Sequence, residues 1–83
     1  MTYLIIFSDY SFKQLEKLPK DIQKRIISTL KRIRIRPYSY VIKLVASNYY
    51  RLRVGEYRII LNIKNNELQI YVIELGHRKN IYK

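Results

Sequence analysis

Eighty-three residues make one small domain, spanning 1–83, because chains split into separate folding units only well beyond this length. Seventeen Lys and Arg against 6 Asp and Glu leave a net charge of +11, while 48% hydrophobic residues are too many for a disordered basic tail. The absence of cysteine excludes disulfides and thiolate chemistry, the lone histidine and scattered acids suit no zinc or calcium site, and two glycines draw no phosphate loop.

Tyr3–Phe7 is β-branched and aromatic and reads as a short buried strand. It is too short for a signal-peptide core or for the ~20 residues a bilayer span needs, so the chain is expected to be soluble and cytoplasmic. Ser8 and Asp9 offer N-cap oxygens for a helix running to about Leu18, with Phe12, Leu15 and Leu18 on one face. Pro19 breaks that pattern and suits the first turn of a second helix. From Lys20 to about Ile35, Ile22, Ile26, Leu30 and Ile33 recur at helical spacing, until Arg36-Pro37 ends the run. Together these two make an antiparallel helical hairpin.

Beyond Pro37 the period becomes two. Across Tyr49–Val54, Tyr50, Leu52 and Val54 face one way and Tyr49, Arg51 and Arg53 the other. A Gly55-Glu56 turn leads into Tyr57–Ile63, where Arg58, Ile60 and Asn62 oppose Tyr57, Ile59, Leu61 and Ile63. After an Asn65-Asn66 turn, Leu68–Glu74 forms another strand with Leu68, Ile70 and Val72 aligned, and Gly76–Lys79 is expected to be a loop. The fold class is therefore α+β: an N-terminal strand, a helical hairpin, then a three-strand antiparallel meander with the helices on one face of a small sheet.

That arrangement leaves Arg51, Arg53 and Arg58 on the opposite, wet face. A solvated surface is the ordinary fate of any single arginine. Three on one face, with Tyr49 and Tyr71 interleaved, favour phosphate binding instead. Nine tyrosines against two phenylalanines point the same way, since a phenol offers both a stacking face and a hydroxyl. Tyr3, Tyr50 and Tyr57 fall on apolar faces and belong to the core edge, whereas Tyr82 ends a basic loop. His77 is by the ordinary reading a hydrogen-bonding surface residue, and by the functional one a phosphate contact or proton carrier beside Arg78. Lys79 and Lys83 are peripheral contacts, and the helix cations are wet faces that steer the protein toward a polyanion.

The run Tyr50-Arg51-Leu52-Arg53-Val54-Gly55-Glu56-Tyr57-Arg58-Ile59-Ile60, with Gly76-His77-Arg78-Lys79-Asn80-Ile81-Tyr82, resembles the RelE/ParE toxin superfamily, and its RelE-type branch most. The resemblance implies a toxin of a toxin–antitoxin pair. It implies a metal-independent endonuclease without cofactors that enters the 30S ribosomal A site and cuts mRNA. The products would be a 2′,3′-cyclic phosphate and a 5′-hydroxyl. It also implies an acidic RelB-like antitoxin as partner, and no membrane. Residue by residue, it assigns catalytic roles to Arg51, Arg53, Arg58, Arg78 and Tyr82, with His77 and Lys79 as accessories. The best-studied branch carries lysines where this chain has Arg51 and Arg53, one of them a general base; arginine keeps its proton, so that role does not transfer. Tyr82 is available to stack on a base, orient the 2′-hydroxyl or take its proton, and His77 is an alternative carrier. Two other readings stand beside this one: a ParE-like inhibitor of DNA gyrase on the same fold, and a basic nucleic-acid-binding module without catalysis.

Overall fold

A computed structural model describes residues 2–81 of the chain. Strand β1 covers Leu4–Phe7, helix α1 Asp9–Glu16 and helix α2 Lys20–Ile33. Then come β2 at Ile42–Lys43, β3 at Tyr50–Val54, β4 at Tyr57–Lys64, β5 at Gln69–His77 and the short helix α3 at Arg78–Ile81. The strands form one sheet in the order β1-β5-β4-β3-β2. The α+β class and the helices on one face are as expected, and β3, β4 and β5 are the antiparallel meander.

The sheet is larger than the meander and mixed. β1 pairs parallel to β5, with Ile5 opposite Ile70 and Phe7 opposite Val72. The two-residue β2 extends the other edge against β3. Both helices stop short of their sequence limits. The N–H groups of Lys17 and Leu18 reach back three residues to Gln14 and Leu15, tightening the end of α1 before Pro19. α2 closes at Ile33 in the same way, through Arg34 N–H to Lys31 O, and the pre-proline Arg36 is held extended at φ −137°. Arg34 then clasps β1: its N–H partner is Lys31, its carbonyl accepts from Tyr3 N, and its Nε donates to Tyr3 O.

Between helices and sheet lies one apolar core. Leu15, Ile26, Leu30 and Ile33 meet Leu52, Val54, Ile59, Leu61, Ile63, Ile70, Val72 and Leu75, with Tyr3, Tyr50 and Tyr57 packed at the margin as expected. Each such aliphatic side chain contributes about 1.5–3 kcal/mol on burial.

β5 departs most from the simple alternation. Leu68 lies outside it in the left-handed region, at φ 53°, and the strand runs on through Gly76 and His77, where a loop was expected; α3 follows directly. The β4–β5 register shifts by one residue, Leu61 pairing with Val72 but Ile60 with Glu74, so Ile73 is an inserted bulge residue. Uninterrupted alternation would turn Glu74 to the core after Ile70 and Val72; the bulge brings Leu75 there instead. α1 satisfies the disturbed backbone. Ser8 Oγ donates to Ile73 O, the fully buried Ser11 hydroxyl lies 2.9 Å from Val72 O, and Leu75 N–H donates to Gln14 Oε1 at 2.8 Å. Among the described residues no helix is long and apolar enough to cross a membrane.

Candidate functional site

Alternation on β3 and β4 delivers the arginines to the side of the sheet away from the helices. Leu52 and Val54 are buried while Arg53 between them is exposed, and Arg51 is half-buried. Arg53 stands directly across from Arg58 in the register, a relation that puts Cβ atoms about 4.5–5.5 Å apart. Arg51 is one row further along the strand, ~7 Å away, opposite Ile60. Alternation thus gathers three cationic side chains on two adjacent rows of one sheet face. Arg58 is half-buried, with Nε and Nη1 shielded from solvent.

The hairpin at Gly55-Glu56 gathers further cations. Val54 pairs with Tyr57, so the turn has two central residues, and left-handed φ (+60°) falls on Gly55 alone, the type II′ pattern. Arg53 Nε donates to Gly55 O at 3.1 Å. Arg78 N–H donates to Glu56 O at 2.9 Å, and its guanidinium Nε lies 3.3 Å from the Glu56 carboxylate. The turn thus fixes where α3 begins and brings Arg78 to the arginine end of the sheet. Arg25 of α2 reaches the same tip, its Nη1 3.1 Å from where a Gly55 Cβ would stand.

The floor of this face is apolar. Ile60 is 7% exposed yet lies outside the core cluster between helices and sheet, because its side chain belongs to the arginine side. Across β4 from Arg58 sits Gly76, where an added Cβ would meet nothing within 4 Å. The row is therefore open at Gly76.

The other sequence candidates separate. His77 pairs with Tyr57, their rings edge to face at 5.5 Å, so it lies on the helix side of the sheet and not among the arginines. Its Nδ1 accepts the Lys79 N–H, which leaves the ring proton on Nε2. Lys79 is exposed on α3. Tyr71 lies on the arginine side but two rows away, its hydroxyl donating to Gln69 and its ring 5.0 Å from Lys64 Nζ. Tyr49 immediately precedes β3 and is 38% exposed. Tyr82 falls outside the described residues. Arg25, Glu56 and Glu74 are the local charges that reading the sequence missed. Arg25 looks like any wet helix cation, and nothing short of the register tells where Glu74 points. Among the described residues no group of acids and histidine could hold a metal ion.

Comparisons with known proteins agree with this fold. A family model described as ParE toxin of type II toxin-antitoxin system, parDE, matches residues 5–82. No curated protein gives a significant sequence match. Among solved structures, a chain of the archaeal RelE-RelB complex from Pyrococcus horikoshii is 28% identical, with 96% of this chain and 99% of that one covered at a TM-score of 0.82. The RelB-RelE antitoxin-toxin complex from Methanococcus jannaschii is also 28% identical, covering 94% and 95% at 0.74. The toxin-antitoxin complex RelBE2 from Mycobacterium tuberculosis shares the fold at a TM-score of 0.84 with 18% identity, covering 94% and 100%.

Proposed function

We propose that this chain, which belongs to the ParE toxin family of type II toxin–antitoxin systems, inhibits translation in the cytoplasm as a ribosome-dependent endonuclease. In this reading it occupies the 30S A site and cuts the mRNA without a metal or cofactor. The message's own ribose 2′-hydroxyl attacks the adjacent phosphate, leaving a 2′,3′-cyclic phosphate and a 5′-hydroxyl.

The observation that carries the reading is the gathering of Arg53, Arg58 and Arg78 around one hairpin, beside the open row at Gly76. Charge accumulates on phosphate oxygens as the 2′-oxygen approaches, and preformed cationic donors stabilise it without reorganising. Arg58, partly desolvated, suits that task best, with Arg53 and Arg78 completing the clamp and Arg51 holding the strand one row away. Tyr82 is the aromatic for stacking on a base or orienting the sugar, and Lys79 a peripheral phosphate contact. His77, on the helix side, is the weaker proton carrier. The ribosome supplies the strained in-line geometry of the message, so the protein's own share is charge and position.

An acidic RelB-like antitoxin is the cognate partner. The archaeal relatives at 28% identity are complexes of RelE with RelB, and a net charge of +11 calls for an acidic cover.

A second reading has its own observation: the matching family model is named for ParE, and a ParE-like chain would bind DNA gyrase and leave message intact. One experiment separates the two. Purified protein is mixed with translating ribosomes and mRNA ends are mapped. Cuts within the A-site codon are expected. Arg58→Ala and Arg78→Ala, folded by circular dichroism, are expected to lose at least about tenfold in single-turnover cleavage. Intact message together with double-strand DNA breaks in cells favours the gyrase reading; binding to RNA with damage to neither leaves a non-catalytic module.

A further inference from the structure

The guanidinium groups of the arginine face hold their protons at any pH a ribosome survives, so none of them can take the proton of a 2′-hydroxyl. The bulge in β5 supplies an acceptor. Insertion of Ile73 rotates the strand so that Glu74 pairs with Ile60, placing it on the arginine side next to Gly76 and diagonal to Arg58. Its row runs through Ile60 to Arg51, and the next row holds Gly76, Arg58 and Arg53. It is half-buried, two residues before Gly76 on the same face of β5, and it also borders the cleft that Tyr10 and Gln14 of α1 form with this strand. Three side-chain contacts from α1, by Ser8, Ser11 and Gln14, hold the backbone at that bulge. The position is thus fixed by the fold and not by a flexible loop.

We propose that Glu74 is the general base of the cleavage, an inference that rests on the nuclease reading above. The carboxylate takes the proton of the attacking 2′-hydroxyl as the 2′-oxygen bonds to phosphorus. The bond from phosphorus to the 5′-oxygen breaks, and that oxygen is protonated by water. Glu74 then returns its proton to solvent, so charge and atoms balance over the cycle. Arg58 and Arg53 hold the non-bridging oxygens one row away. A carboxylate on this face would otherwise only weaken phosphate binding, and that opposing role makes a clear prediction of its own.

The test uses single-turnover cleavage on ribosomes programmed with a defined A-site codon. Glu74→Gln and Glu74→Ala are expected to lose about 100-fold in the rate constant at saturation, the lower end of what a general base contributes. KM should stay within about threefold. Formate should restore cleavage by Glu74→Ala, where a cavity receives it, and not by Glu74→Gln. Glu67→Gln, an exposed acid at the far end of β4, should match the wild type, and thermal melts of all variants should coincide within a few degrees.

Full-rate cleavage by Glu74→Gln, especially with tighter RNA binding, would overturn the assignment in favour of simple charge balance. Loss accompanied by a raised KM and no rescue by formate would overturn it in favour of a structural role. A wild-type protein that cuts no message at all would instead sink the nuclease reading beneath it, an outcome visible before any variant is made.

Discussion

Single side chains tie distant parts of this protein together through polar contacts as much as through packing. Asn65 is the clearest case: its Oδ1 accepts from both Tyr3, 62 residues away, and Tyr38, at 2.8 and 2.9 Å. Tyr38 also packs edge-on against Tyr50 at 5.3 Å. Burial, with smaller repulsion from the neighbouring phenols, raises the Tyr38 pKa above 10.0, and the Asn65 hydrogen bond pulls against that. The sign follows from which form the fold prefers. Folding favours the neutral phenol, so its contribution is complete below about pH 10 and is lost as pH rises through the higher folded value. Tyr38→Phe should therefore lose less thermal stability than the wild type between pH 8 and pH 10.5, read as the difference of melting temperatures. At neutral pH the same variant should be weaker by no more than about 1 kcal/mol, the worth of one hydrogen bond. An equal alkaline loss in both proteins would remove Tyr38 from the account.

At the scale of elements, the bulge in β5 and the first turns of α1 act as a unit. Ser11 is fully buried although it is polar, because its hydroxyl serves Val72 O and Ser8 O, while Ser8 caps the helix and holds Ile73 O. Ser11→Ala should cost about 1–3 kcal/mol in urea unfolding, since it strands a buried carbonyl. A loss under 0.5 kcal/mol would mean that water fills the place. Of this only the Ser8 cap was legible in the sequence, and the reason is physical. Ile73 is an ordinary strand residue with no glycine to mark a bulge, and the serines read simply as a helix start. The helix breaks at Pro19 and Pro37 and the alternation of β3 and β4 were legible, because prolines and two-residue periods are local signals. The parallel pairing of β1 with β5 joins residues 65 apart and leaves no local trace, and β2 is too short to show a period. The candidate site divides along the same line. Arg51, Arg53 and Arg58 followed from periodicity alone. The anchoring of Arg78 by Glu56, the approach of Arg25, the side on which His77 falls and the turn of Glu74 all needed register.

The whole molecule carries +11 within a Cα radius of gyration of 11.9 Å, a density of charge that makes binding strongly salt-dependent. If the arginine face neutralises four to six phosphates of single-stranded RNA, log K should fall with log salt at a slope of roughly −3 to −4, measured by fluorescence anisotropy between 50 and 300 mM KCl. A slope near zero would make the face irrelevant to RNA. Charge also opposes folding of so small a core, which makes the order of assembly matter. β5 lies between β1 and β4, so the last strand made is an interior one. In the folded sheet β5 fills a lane of about 10 Å, two strand spacings wide, between the first strand and the hairpin. Without β5 the sheet lacks the rows that carry Gly76 and Glu74, so the arginine face is completed only when that strand enters between its two neighbours.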